Sequence, residues 1–100
     1  MAGFTYHFSW DPRKAEANRR KHGVSFEDAA TVLADPLALT VYDEDHSEAE
    51  ERWVTVGEAV IGGLLVVSHT FEELSPQEAA VRIISARPAT ASERRAYEAQ

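Results

Sequence analysis

Arg52-Trp53-Val54-Thr55-Val56-Gly57-Glu58 and, beyond Gly62-Gly63, Leu64-Leu65-Val66-Val67-Ser68-His69-Thr70 make up the stretch that decides the fold. Both segments are rich in β-branched and apolar residues, and a diglycine supplies the positive φ angles of a tight turn, so they read as a β-hairpin. Working outward, Leu37 to Tyr42 and Ala79 to Ala86 keep the same period of two and extend the hairpin to four strands. An acidic loop (43–51) and a second loop (71–78) complete the meander. Upstream, Tyr6, Phe8 and Trp10 alternate with polar residues, the period of a half-buried strand. Asp11-Pro12 then opens a helix as N-cap and first helical residue, and Gly23 ends it behind the cations Lys21 and His22. Ser25 opens a second helix with Phe26, Ala29, Ala30 and Leu33 as its inward stripe, closed by Asp35-Pro36. Thr90-Ala91-Ser92-Glu93 is a capping box that starts a last helix. The order β-α-α-β-β-β-β-α predicts an α+β fold, an antiparallel sheet with helices packed on one face.

One hundred residues with 44% apolar content suit a single domain spanning 1–100. With no cysteine there is no disulfide framework and no thiolate zinc site. The first residues have no basic region followed by an apolar run, and the apolar run Leu64 to Val67 is too short to span a membrane. A cytoplasmic protein without membrane association is the expectation.

The net charge of −7 argues against nucleic acid until its distribution is considered. Residues 1–21 carry +3, residues 22–80 carry −12 and residues 81–100 carry +2. The ends are basic and the middle is acidic. Arg13, Lys14, Arg19, Arg20 and Lys21 on the first helix form either a solvated face or a docking surface for an acidic partner.

The C-terminal segment concentrates chemistry. Arg82, Arg87, Arg94 and Arg95, with Tyr97, lie on a strand and a capped helix, and guanidinium groups bind phosphate in a bidentate fork. Arg82 and Arg87 are five apart and would face opposite ways in a regular strand, so both can serve one site only if the strand bulges or ends near Ser85. His69, in phase with Leu65 and Val67, is placed by alternation where it can meet the arginines of the facing strand and transfer a proton. The plainer alternative is a core histidine bonded to a backbone carbonyl. On the last helix Arg94 and Tyr97 share a face, and Arg94, Arg95 and Glu98 can equally form intrahelical ion pairs. The carboxylate-rich run from Asp43 to Glu48 lacks the glycine of a calcium loop and reads as a solvated loop. His7, His22, His46 and His69 have no metal-ligand spacing, so neither metal nor cofactor is expected.

The motifs Phe8-Ser9-Trp10-Asp11-Pro12, Lys21-His22-Gly23, Asp45-His46-Ser47, Glu50-Glu51-Arg52, Val66-Val67-Ser68-His69-Thr70, Arg82 to Arg87 and Glu93-Arg94-Arg95 occur in an order that resembles the BrnT family of type II toxins. The resemblance covers nearly the whole chain. It implies a RelE-like fold, a prokaryotic ribonuclease that arrests growth, and neutralisation by a BrnA-like antitoxin. That antitoxin's ribbon-helix-helix domain would be the only part to touch operator DNA.

The resemblance further implies a site containing His69, Arg82, Arg87, Arg95 and Tyr97. The expected reaction is attack of the RNA 2′-hydroxyl on its own 3′-phosphate. His69 would move the proton, Arg82 and Arg87 would stabilise phosphoryl charge, and Tyr97 would stack on a base or bond the phosphate. Arg94 and Arg95 would hold the RNA backbone, and Arg19, Arg20 and Lys21 would meet the antitoxin. Two departures stand out: Pro88 occupies the place where family members carry a lysine, and the loop after Phe71 is long and acidic. The competing class is a non-catalytic module whose arginines grip an acidic partner. A His69 turned into the core, with Arg82 and Arg87 turned away from it, favours that class.

Overall fold

The caps foreseen from the sequence set the helices. In a computed structural model that describes residues 3–100, Asp11 accepts from the Arg13 N–H at 2.8 Å and opens α1 (Pro12–His22), which Gly23 ends at φ +70°. Ser25 caps α2 (Phe26–Thr31), which continues into a 3-10 turn (Val32–Ala34). Thr90 and Glu93 form the reciprocal capping box of α3 (Ala91–Glu98).

The strands are β1 (Thr5–Ser9), β2 (Leu39–Tyr42), β3 (Trp53–Glu58), β4 (Leu64–His69), β5 (Glu72–Ser75) and β6 (Glu78–Pro88). Their order across the sheet is β1-β6-β4-β3-β2, with β5 also pairing β6. Two features depart from the expected meander. β1 joins β6 in parallel, Thr5 opposite Glu78 and Ser9 opposite Arg82, a pairing between chain ends that no local pattern announces. The acidic segment after Phe71 is a strand, with Glu72 opposite Ala80 and Glu73 opposite Ala79. Its glutamates, poor strand formers, are tolerated because they are exposed to water.

The helices pack where the strands are apolar. Phe26, Ala29 and Val32 are fully buried against Val67, Val81 and Ile83, and Trp10 meets Phe26 edge-on with centroids 6.0 Å apart. Gly57 admits this approach, since a Cβ there would lie 2.8 Å from Val32 Cγ1. Leu64 and Val66 point to the opposite face yet are only 5% exposed, so that face is covered around these two residues of β4.

One buried polar side chain fastens α1 to the sheet. β1 ends opposite Arg82, which leaves the following stretch of β6 without a neighbour on that side. Asn18 fills the gap. Its Nδ2 donates to the carbonyls of Ala86 (2.8 Å) and Val24 (3.1 Å), and its Oδ1 accepts from the Ala86 N–H at 3.1 Å. The amide thus supplies to the strand what another strand would have supplied.

Candidate active site

The register between β4 and β6 decides which side chains meet. Ser68 lies opposite Ser85 but His69 lies opposite Ile83, so Ile84 is an extra residue and the strand bulges there. Before the bulge Arg82 alternates with the core residues Val81 and Ile83, and after it Arg87 alternates with the core residue Ala86. The bulge thus brings Arg82 and Arg87 to one face although they are five apart.

The same bulge separates His69 from both arginines, and the expectation that they meet does not hold. His69 shares the face of Ile83 and is 1% exposed. Its Nδ1 bonds the Thr70 carbonyl at 2.9 Å, and because a carbonyl only accepts, Nδ1 carries the proton. Nε2 then accepts from Thr55 Oγ1 at 2.7 Å, and Thr55 Oγ1 in turn accepts from Thr40 Oγ1 at 2.7 Å. His69 forms the floor of an apolar cleft of about 380 Å³ lined by Tyr6, Leu33, Thr40, Trp53 and Phe71.

Burial lowers the His69 pKa below its ordinary 6.5, against a smaller opposing effect of its bond to the Thr70 carbonyl. The unfolded chain binds this proton at a pH where the folded chain does not. Stability from this group is therefore full above about pH 6.5 and is lost as the pH falls below it. Urea unfolding from pH 8 to pH 5 should show wild type losing stability faster than His69→Gln; parallel profiles would count against a neutral buried imidazole.

The other candidates occupy three further places. Arg87 forks onto Glu93, with two N–H···O contacts of 2.8 Å, and this bond holds the Glu93 carboxyl down at about 2. Tyr97 donates to Asp35 Oδ2 at 2.6 Å, which pushes its phenol up to about 12 and ties α3 to the turn before β2. Tyr97 and Arg87 thus fasten α3. Arg94 and Arg95 are exposed and have no carboxylate partner among the described residues. On α1, Arg19 and Arg20 both contact Glu16 at 3.2 Å, as expected of a solvated helix face.

A polar strip that the sequence reading passed over crosses the arginine face. Arg82 pairs with Glu50 Oε1, and Arg52 reaches the same oxygen at 3.6 Å. The bond to Arg82 is the main cause that holds the Glu50 carboxyl below its usual range. Arg52 Nε is a buried side-chain donor with no partner among the described residues. Beside Arg52, His46 Nδ1 contacts the Asp43 carboxylate at 2.9 and 3.1 Å. Ser47 Oγ accepts from the Arg52 N–H at 3.0 Å and donates to the Asp43 carbonyl, and the Asp43 N–H donates to the Arg52 carbonyl at 2.9 Å. These bonds close the acidic loop on itself and place its histidine over the sheet. The density of carboxylates hid that order from a reading by composition.

Residues 10–93 match the family model of BrnT, the ribonuclease toxin of type II toxin-antitoxin systems. The chain belongs to the BrnT family. The crystal structure of the Brucella abortus ribonuclease toxin BrnT is similar, with a TM-score of 0.59 and 26% identity over 86% of this chain and 99% of that one. No curated protein matches by sequence. Membership in the BrnT family makes the chain a ribonuclease toxin of a type II system, a class in which an antitoxin is the partner. Among the described residues no helix is long and apolar enough to cross a membrane, and no three metal-ligating side chains converge.

Proposed function

We propose that this BrnT chain cleaves RNA without a bound metal and is neutralised in the cytoplasm by a BrnA-like ribbon-helix-helix antitoxin, through which alone it associates with operator DNA. The observation that carries the catalytic part is the convergence of Arg52 and Arg82 on the one carboxylate of Glu50, all three side chains being partly exposed on one face of the sheet. Two guanidinium groups facing one carboxylate leave a positive charge for a phosphodiester, and preorganised cations stabilise the charge that develops on the phosphoryl oxygens. Arg87 lies on the same face and can exchange Glu93 for phosphate, while Arg94 and Arg95 extend the positive surface along α3. The 2′-hydroxyl attacks the adjacent phosphorus, giving a cyclic phosphate and a free 5′-hydroxyl. Arg19, Arg20 and Lys21 are offered to carboxylates of the antitoxin, with Lys21 least engaged within α1.

The test is cleavage of a defined single-stranded RNA in excess EDTA. Cleavage with a cyclic-phosphate end is the expected result. Activity abolished by chelation and restored by magnesium would overturn the metal-free reading. A second reading, a non-catalytic module that grips an acidic antitoxin segment, is favoured by one observation: Arg82 and Arg87 turn away from His69 and already hold carboxylates. Wild-type protein inactive on RNA under all metal conditions, yet tightly bound to its antitoxin, would select it.

A further inference from the structure

We infer that His46, oriented by Asp43 and set beside Arg52, accepts the 2′-hydroxyl proton in this reaction, and that the substrate phosphate takes the position Glu50 holds between Arg52 and Arg82. The inference rests on the metal-free reading above and names its proton acceptor. His69 cannot fill that role at these arginines, because it lies on the other side of the sheet with both ring nitrogens engaged inside the protein.

Four observations support His46. Its ring is 68% exposed, so a substrate can reach it. Asp43 engages Nδ1, which leaves Nε2 with no partner among the described residues; an oriented imidazole with a free second nitrogen is the arrangement of a general base held by a third group. A concavity of about 200 Å³ is lined by Asp43, His46, Arg52, Ser68, Ile84 and Ser85, so base and cation open onto the same space. The Arg52 side chain beside it is 32% exposed and reaches Glu50 only at 3.6 Å, so its terminal nitrogens can turn to a phosphate in that space.

The step balances as follows. His46 Nε2 takes the 2′-hydroxyl proton while the 2′-oxygen forms a bond to phosphorus. The bond from phosphorus to the 5′-oxygen breaks, and that oxygen takes a proton from solvent. The imidazolium, stabilised by Asp43, then returns its proton to water. Arg52 and Arg82 face the phosphoryl oxygens throughout.

The experiment compares wild type, His46→Gln, Asp43→Asn and His7→Gln on the same RNA in EDTA, with melting curves for each. His46→Gln should lower kcat by about 10²–10⁴-fold with KM little changed, the usual worth of a positioned proton-transfer group. Asp43→Asn should fall in between and shift the pH profile of kcat, an effect that a merely structural carboxylate would not produce. His7→Gln, on β1, should keep the wild-type rate. His46→Gln cleaving as fast as an active wild type overturns the assignment and leaves the metal-free reading standing. A wild type that cleaves only with added metal overturns both.

Discussion

Arg82→Ala should lower the rate of RNA cleavage by about 10²–10³-fold, the scale on which one preorganised charge stabiliser contributes, with almost no loss of stability. The two effects separate because of where the residue sits. Its N–H donates to Thr70 Oγ1 at 3.1 Å and its carbonyl accepts from the Thr70 N–H at 3.0 Å, so the backbone stays fixed whatever the side chain. The side chain is 43% exposed, and a surface ion pair such as Arg82–Glu50 contributes only about 0–1 kcal/mol. Arg82→Lys should recover little of the rate, because a point charge does not reproduce a fork. Single-turnover cleavage in EDTA, alongside a melting curve, measures both quantities. A rate within threefold of an active wild type would take Arg82 out of the reaction.

The largest structural effect should come from Asn18→Ala, which we expect to cost about 3–5 kcal/mol. The residue is 8% exposed, and its removal strands the N–H and C=O of Ala86 and the carbonyl of Val24. Each buried backbone group left unpaired costs about 1–3 kcal/mol, partly relieved where water can enter. Against a total stability of about 5–15 kcal/mol for a domain of this size, the loss leaves the fold marginal. Asn18→Asp should be no better, since a carboxylate cannot donate to two carbonyls. Urea unfolding decides the matter, and a loss under about 1 kcal/mol would show that β6 does not depend on this amide.

Much of the architecture was legible because it is written locally. Asp11-Pro12, Gly23 and Thr90 with Glu93 satisfy backbone groups within a few residues of themselves, so sequence neighbours suffice to place three helix ends. The diglycine at 62–63, with φ of +99° and +91°, marks the hairpin for the same reason. Features that depend on distant partners were not visible. β1 finds β6 across almost the whole chain, and β5 is held by pairing in spite of its glutamates.

The candidate site shows the sharper limit. Spacing alone showed that Arg82 and Arg87 need an irregularity in order to share a face, and a bulge supplies it. The facing of His69 turns on the register of that bulge, and a shift of one residue sends a side chain to the other side of the sheet. In the acidic loop, the order around His46 comes from Ser47 and Asp43 bonding back to the start of β3, a closure that composition does not encode.

Glu93 serves two masters. One carboxylate accepts from the Thr90 N–H at 2.8 Å as part of the helix cap and from both terminal nitrogens of Arg87. Whatever draws Arg87 away to a phosphate loosens an anchor of α3, and by reciprocity whatever frays α3 frees Arg87 for a phosphate. Anion capture at the end of β6 and order in the C-terminal helix are thus two readings of one equilibrium, and the chain's last ten residues act as a gauge of whether the arginine face is occupied.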